Sequence, residues 1–214
     1  MLPVFAVQAN IVVGGTRLVF DGNKKETSIS VENKEDKANL VQSWLTPVDK
    51  DSPSKEAFII TPPLFRLDAG QKNVLRIVRS GLTVPENKES MYWLNIKGIP
   101  STEEDDKNVL QIAINTRIKL IYRPATLTKI VPEDVADKIQ WHREDDKLQI
   151  KNSSPYYMNF SEIRIGAHVL DKIVFVPPFS SESVQLPKGI KDNVVSWKII
   201  NDYGRVGESH TTSL

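Results

Sequence analysis

The 214-residue sequence contains no cysteine, which excludes a disulfide framework, a thiolate zinc site and a cysteine nucleophile. It also has no excess of either charge, because 28 basic residues against 27 acidic ones give a net charge of +1. A nucleic-acid partner is therefore not expected. No run approaches the roughly 20 apolar residues that span a bilayer. With 40% hydrophobic residues the chain can still bury one large core or two small ones, and we predict two.

Catalytic motifs are also missing from the sequence. The three histidines, His142, His168 and His210, are scattered, and no nucleophile elbow, phosphate loop or zinc-binding helix is present. The acidic segment Ser101–Lys107 lacks the glycine and the alternation of a calcium loop, so a solvated loop is expected there. An exported β-sandwich hydrolase would need clustered acid and base residues. We predict that the protein is not an enzyme and uses no cofactor or metal.

Residues 1–9 read MLPVFAVQA and end in Val7-Gln8-Ala9, which fits the small-residue rule for signal-peptide cleavage. The basic region and the longer apolar core of a complete leader are missing. We interpret residues 1–9 as the remnant of a signal peptide, with a native first strand as the alternative. On this interpretation the mature chain begins at Asn10 and the protein is exported.

Short segments rich in β-branched and aromatic residues follow one another along the rest of the chain, separated by turn residues. The best helical candidate, residues 132–137, would make barely one turn. This spacing predicts an all-β protein built from β-sandwiches. The predicted strands are 28–33, 39–46, 57–61, 73–79 and 91–97 in the first half, and 138–142, 147–151, 156–165, 169–176 and 194–200 in the second.

The longest predicted strand runs from Asn108 to Tyr122 and could span about 50 Å at the usual rise per residue. Its apolar side chains at 110, 112 and 114 alternate with polar or small ones, as in a strand with two different faces. Two interpretations remain open on this pattern: a central strand of a sandwich, or a strand that lends its apolar row to another protein. Arg123-Pro124 should end the strand, which predicts domains at 10–124 and 125–214.

Five segments carry a family resemblance: Thr16–Phe20, Thr61–Leu67, Val84–Trp93 with Asn95 and Ile99-Pro100, Asn108–Ala113 with Ile118–Pro124, and Ile200–Gly204. In this order they resemble the periplasmic chaperones of the chaperone–usher pathway, the PapD-like family that assembles pili on Gram-negative bacteria. The resemblance implies two immunoglobulin-like sandwiches at an angle, boomerang-shaped with an interdomain cleft, in the periplasm of a Gram-negative bacterium. The loop before the long strand resembles the short-loop subgroup, which is associated with rod-like pili.

This resemblance implies an ATP-independent chaperone that binds pilus subunits by donor-strand complementation and delivers them to an outer-membrane usher. The groove-filling positions are Leu110, Ile112 and Ile114, called the donor row below. Self-association through the same edge is a further possibility, because a long apolar edge should not stay bare. The alternative is a structural or adhesive two-domain protein, without chaperone activity, in which the donor row is ordinary core.

Arg17 and Lys119 match the family's anchor for the C-terminal carboxylate of the subunit, and the resemblance rather than the charge pattern selects them. The donor row has even numbers whereas Lys119 is odd, so a straight strand would point Lys119 away from the row. Either a bulge or twist lies near Asn115 and Thr116, or the carboxylate site opens on another side.

The resemblance also implies an interdomain charge cluster of Glu89, Arg123 and Asp202. One cation between two carboxylates could hold two sandwiches at a fixed angle, although a buried ion network is weak evidence for stability. We predict an orienting role for these three residues, called the charge cluster below.

Overall fold

The computed structural model describes residues 11–48, 52–102, 110–170 and 175–214. The described residues form two compact units. The first contains the chain up to Phe20, Lys24–Val84 and Met91–Ile121, and the second contains Asp21–Asn23, Pro85–Ser90 and Tyr122–Leu214. The predicted leader at 1–9 lies outside the described residues. The domain boundary after Pro124 stays a prediction.

The first unit is built from two sheets whose strands alternate buried and exposed side chains. A four-stranded sheet has the order β1-β3-β7-β5, and a five-stranded sheet has the order β2-β9-β8-β4-β6. The strands are β1 (Ile11–Val13), β2 (Arg17–Asp21), β3 (Glu26–Asn33), β4 (Asn39–Pro47), β5 (Phe58–Thr61), β6 (Leu64–Leu67), β7 (Lys72–Arg79), β8 (Ser90–Pro100) and β9 (Ile114–Arg123).

The core of the first unit lies where the apolar faces of these sheets meet. Val41 in β4, Leu75 in β7 and Leu94 in β8 have no exposed side-chain surface, as expected for a period-2 pattern with one face inward. β4 and β8 pair antiparallel over nine residues, from Asn39 opposite Pro100 to Pro47 opposite Tyr92. β8 is therefore a central strand of this sheet, with β4 on one side and β9 on the other.

The second unit repeats this architecture with a three-stranded sheet, β10-β11-β15, and a five-stranded sheet in which β13-β12-β16-β17 are joined by β14 beside β12. Its core contains Leu148, Ile150, Phe160 and Trp197. The strands are β10 (Gln140–Glu144), β11 (Lys147–Asn152), β12 (Met158–Ile165), β13 (His168–Val169), β14 (Phe175–Val176), β15 (Ser180–Gln185), β16 (Val194–Ile200) and β17 (Val206–Ser213).

The helical content of the described residues is limited to three short 3₁₀ helices at Lys55–Ala57, Ala125–Leu127 and Pro132–Lys138. The last of these is where the sequence predicted barely one helical turn. Within the described residues no helix is long and apolar enough to cross a membrane. The prediction of an almost entirely β protein is confirmed.

Five observed strands have no counterpart among the predicted ones, namely β1, β2, β6, β15 and β17. The last two were missed because their sequences are polar. β15 and β17 expose most of their side chains and show little apolar alternation. They are held by backbone pairing, β15 with β11 and β17 with β16, which periodicity does not report. The predicted strand 169–176 is instead two short strands, and residues 171–174 lie outside the described part.

The long predicted strand, 108–122, is corrected at its start. β9 begins at Ile114, and residues 110–113 are described but have no strand assignment. Asn108 and Val109 lie outside the described residues. The physical reason is pairing, since a strand is defined by a hydrogen-bonded neighbour and the described part of the chain offers none to 110–113. The side-chain amide of Gln111 donates a hydrogen bond to the backbone carbonyl of Pro100.

Candidate functional site

The donor row is exposed. Leu110 shows 83% of its surface to solvent, Ile112 62% and Ile114 46%. The same face of the strand becomes buried further along, where Ile118 and Leu120 enter the core of the first unit. The donor row thus continues a core-facing row of side chains but is itself exposed. Large aliphatic surface of this kind is normally buried, so the row is a candidate for contact with another protein.

Lys119 lies on the opposite face of β9 from the donor row. Ile118 and Leu120 are buried on the face that continues the row, and Lys119 alternates with them. On its own face, Asn115 donates a hydrogen bond to the side chain of Asn95 in β8, with a distance of 3.3 Å. Of the alternatives left open by the sequence, β9 favours a carboxylate site that opens on another side, since its burial alternation runs on from 116 to 120.

Arg17, the first residue of β2, and Lys119 in β9 stand on neighbouring strands of the five-stranded sheet and are both half-buried. Burial, together with the positive charge of Arg17, lowers the pKa of Lys119 to about 8. The positive charges of Arg17 and Lys119 therefore repel each other. An anion beside both side chains would offset this repulsion.

An aromatic ring that sequence reasoning missed lies beside this pair. Trp93 in β8 carries the guanidinium carbon of Arg117 at 4.5 Å from its ring centroid and the ammonium of Lys119 at 5.8 Å. Both distances are within the range of cation–π attraction. The sequence shows that Arg117 and Lys119 are two residues apart and therefore lie on one face of the strand. It does not show that Trp93, on a different strand, lies against that face.

The structure brings the three residues of the charge cluster together. The Nε of Arg123 donates to Glu89 Oε1 at 2.7 Å, while Nη1 and Nη2 donate to the two carboxylate oxygens of Asp202 at 2.6 and 2.8 Å. Arg123 and Glu89 are buried, and Asp202 is partly exposed. All three belong to the second compact unit. The orienting role predicted for them stays a prediction.

Burial has a strong effect on the charge cluster. It raises the pKa of Glu89 to about 7, against the attraction of Arg123 and a hydrogen bond of 2.7 Å from the backbone N–H of Tyr157. The two carboxylates raise the pKa of Arg123 above its ordinary value, although burial opposes them. The cluster therefore holds one permanent cation, and the charge of Glu89 depends on its ion pair.

Asp202 is placed by the turn that follows β16. The side chain of Asn201 accepts hydrogen bonds from the backbone N–H groups of Tyr203 and Arg205, and Gly204 has a φ of +79° that favours glycine. This turn presents the carboxylate of Asp202 to Arg123 in a two-pronged contact. The segment Ile200–Gly204, quoted above for the resemblance, is thus one arm of the cluster.

Comparison with protein families decides what kind of protein this is. Residues 10–128 match the family described as "Pili and flagellar-assembly chaperone, PapD N-terminal domain", and residues 134–211 match "Pili assembly chaperone PapD, C-terminal domain". The chain belongs to the PapD-like family of pilus-assembly chaperones.

Individual relatives agree with the family match. The chaperone protein LpfB of Salmonella typhimurium is 40% identical over 206 residues, which cover 94% of this chain and 88% of the relative. The chaperone protein FimC of Escherichia coli K12 is 35% identical, covering 95% of this chain and 84% of the relative. Among solved structures, a chain of the Salmonella enterica SafA pilin complex with the SafB chaperone superposes with a TM-score of 0.86 at 32% identity, covering 100% of this chain and 99% of that chain.

Membership in the PapD-like family confirms several predictions made from the sequence. The protein is a chaperone and not an enzyme, its fold is the two-domain immunoglobulin-like architecture of the family, and it works in the periplasm of Gram-negative bacteria. In the described part of the chain no three His, Asp or Glu side chains cluster in a way that could hold a metal ion.

Proposed function

We propose that this PapD-like protein captures pilus subunits in the periplasm and completes their fold by donor-strand complementation. The observation that carries the proposal is the exposure of the donor row at the start of β9, where three large aliphatic side chains have no cover within the described residues. The SafB relative is a chaperone in complex with the SafA pilin, which supports a pilin as the occupant.

The physical basis is the exchange of two unfavourable surfaces for one favourable contact. A subunit that lacks a strand has an open apolar groove and an unpaired sheet edge, and residues 110–113 pair with no strand in the described part of the chain. Adding the strand satisfies both sets of backbone groups and buries the donor row. Each aliphatic side chain buried in this way would contribute roughly 1.5 to 3 kcal/mol before the cost of ordering is deducted. No nucleotide is needed for this step.

Arg17 and Lys119 supply the anchor for the C-terminal carboxylate of the subunit. They lie on β2 and β9, and their charges interact with each other. A carboxylate between them would accept charge-assisted hydrogen bonds and fix the register, so that the donor row meets its pockets. Because the carboxylate is negative, its arrival should raise the pKa of Lys119 from about 8 toward its ordinary value.

The first test is co-expression in the periplasm with pilin subunits from the same gene neighbourhood. Wild type should copurify one-to-one with a subunit, and Arg17→Ala and Lys119→Ala should each reduce capture by about 10- to 150-fold, the loss expected for a charge-assisted hydrogen bond. Circular dichroism checks that the variants remain folded. Failure of wild type to capture any subunit from the gene neighbourhood would contradict the proposed donor-strand function, although the two β-sandwiches would still describe the fold.

Lys119→Arg is the matched control for the anchor. It keeps the positive charge but does not titrate near neutral pH, whereas the lysine loses its proton as the pH rises through about 8. Capture by wild type should therefore weaken between about pH 7 and pH 9.5, and capture by Lys119→Arg should stay nearly constant there. Equal pH dependence of the two proteins would show that Lys119 does not contact the carboxylate.

Delivery of the subunit to an outer-membrane usher and membership in the short-loop subgroup are further parts of the proposal. Only seven residues, Ser101–Lys107, separate the end of β8 at Pro100 from Asn108, and Asp106 and Asn108 in front of the donor row are polar. A short loop that is polar up to Asn108 leaves a donor row of only three residues, Leu110, Ile112 and Ile114, as expected for the short-loop subgroup. Electron microscopy of bacteria that express the whole gene cluster should show rod-like pili that disappear when the chaperone gene is deleted; thin or capsule-like fibres would contradict the subgroup.

The alternative, a structural or adhesive two-sandwich protein, requires the donor row to be core. Its side chains are instead 46 to 83% exposed. The chaperone function is therefore the better supported of the two.

A further inference from the structure

The strand face that carries the anchor also carries a stacked pair of side chains with no assigned role. The guanidinium carbon of Arg117 lies over Trp93, 4.5 Å from the ring centroid, and the ammonium of Lys119 lies 5.8 Å from the same centroid. Arg117 is exposed whereas Trp93 is half-buried. The ring thus forms a fixed base beneath a guanidinium whose outer side faces solvent.

A cation–π contact does not use the hydrogen-bonding capacity of Arg117. The five N–H donors of a guanidinium lie in its plane and point outward from its edge, so contact with a ring face does not engage them. In the described parts of the chain the Arg117 side chain has no ion pair or hydrogen bond of its own. Its donors are therefore available to a bidentate partner, and a carboxylate is the group that matches their geometry.

The position of Arg117 relative to the anchor defines which part of a subunit would reach it. The donor row precedes Lys119 along β9, so a subunit that covers the row and ends at Lys119 has a C-terminal tail running in the same direction as β9. In an extended strand, residues two positions apart are roughly 7 Å from each other, and their side chains point to the same face. The side chain two residues before the terminal one, the third-last residue, would then lie beside Arg117.

The edge of β9 has room for such a tail. β2 has five residues and β9 has ten, so β2 can pair with only part of this edge. The cations that border this path are Arg17, Arg117 and Lys119, which favours an acidic side chain. An aromatic side chain would have to compete with Arg117 for the ring.

We propose that Arg117, held on the ring of Trp93, binds an acidic side chain at the third-last position of the subunit and thereby selects subunits by the charge of their tails. Trp93 acts as a positioning residue, because it fixes the guanidinium in an orientation that a flexible arginine would otherwise lose. The inference rests on the proposed donor-strand function and adds to it a determinant of subunit choice.

The test is a competition between subunits that differ at one position. A pilin encoded beside the chaperone gene is prepared with Glu, Gln or Lys at its third-last residue, pairs of these subunits are co-expressed with one chaperone, and mass spectrometry gives the ratio captured. Wild type should prefer Glu over Gln by about 10-fold and discriminate more strongly against Lys, as expected when a charge-assisted pair is lost. Arg117→Glu should reverse the order and capture the Lys subunit best.

Two controls separate recognition from general effects of charge or packing. Lys24→Glu makes the same type of charge change as Arg117→Glu at an exposed site in the turn after β2, and it should keep the wild-type order. Trp93→Leu should reduce the preference for Glu over Lys, and Trp93→Phe, which keeps a ring, should retain most of it. A merely structural tryptophan would change the yield of all three complexes equally.

The outcomes distinguish this inference from the function beneath it. If Arg117→Glu keeps the wild-type order while Arg17→Ala and Lys119→Ala still reduce capture, tail selection by Arg117 is wrong and donor-strand capture stands. Equal capture of the Glu and Lys subunits by wild type would also overturn it. If wild type captures none of the three subunits, the proposed function itself is overturned.

Discussion

Replacing Ile112 with aspartate should abolish capture of the pilus subunit and leave the chaperone folded. Ile112 is 62% exposed in the free protein, so the substitution should change the free energy of unfolding by no more than about 0.5 kcal/mol. In the complex the same position would be enclosed by the groove of the subunit. The variant would lose roughly 1.5 to 3 kcal/mol of apolar burial and would also bury an unpaired carboxylate, so capture should fall at least 100-fold.

Ala113→Asp is the matched control for this change. It introduces the same charge one residue away, on the opposite side of the segment, and Ala113 is also exposed. Capture should be close to wild type for Ala113→Asp and absent for Ile112→Asp when both are co-expressed with the same subunit. Urea unfolding of the two purified variants supplies the stability readout. A strongly destabilised Ile112→Asp would indicate that the donor row is core, and equal loss of capture in both variants would argue against a specific row.

Replacing Arg123 with methionine should destabilise the second unit more than any change to a surface charge. The substitution keeps much of the side-chain volume but leaves Glu89 buried without its cation, and breaking a buried ion pair from one side costs about 3 to 5 kcal/mol. Arg123 also makes the two-pronged contact with Asp202 and lies 5.5 Å from the ring of Tyr156, so packing and hydrogen bonding are lost together. Urea unfolding at neutral pH measures the change.

The cost of Arg123→Met should depend on pH with a defined sign. Burial already raises the pKa of Glu89 from 4.5 to about 7, and without Arg123 it should rise further. A carboxyl whose folded-state pKa is raised contributes most to stability below its unfolded pKa, and that contribution is lost as the pH rises through the folded value. The difference between wild type and variant should therefore be smaller at about pH 5 than at about pH 8.

Two further variants test the physical explanation of this effect. Arg123→Met combined with Glu89→Gln removes the uncompensated charge, so it should recover part of the lost stability at about pH 8 and reduce the pH dependence. Arg164→Met changes a partly exposed arginine paired with Glu162 at 3.1 Å, and it should cost no more than about 0.5 kcal/mol. If Arg123→Met costs as little as Arg164→Met, the charge cluster is not a determinant of stability.

Much of the fold was predictable because it is local in origin. Val41, Ser43 and Leu45 in β4, and Leu148 and Ile150 in β11, are buried at every second position. This alternation, with turn residues between the segments, is sufficient to predict strands. Most predicted strands lie within about two residues of the observed ends. Among the strands that were missed, β15 and β17 are polar, and each is held by pairing with another strand, β11 and β16 respectively.

The site was only partly predictable for the same reason. The two-residue period of the donor row can be recognised in the sequence. Arg17, Glu89 and Asp202, in contrast, were predicted from a family resemblance and not from any local pattern. Trp93 was missed altogether, because its relation to Arg117 is a cross-strand contact between β8 and β9. Such a contact depends on register, and register is a property of the paired sheet.

The sequence by itself determined that the chain is nearly all β, that it can form two sandwiches without disulfides, and that one segment carries an apolar row at 110, 112 and 114. These properties follow from composition and from the two-residue period of a strand. Only the tertiary structure decided that the row is left uncovered, that Lys119 faces away from it toward Trp93, and that Arg123 joins two carboxylates separated by 113 residues. Burial and pairing depend on which strands become neighbours in the folded chain, and a local sequence pattern does not specify those neighbours.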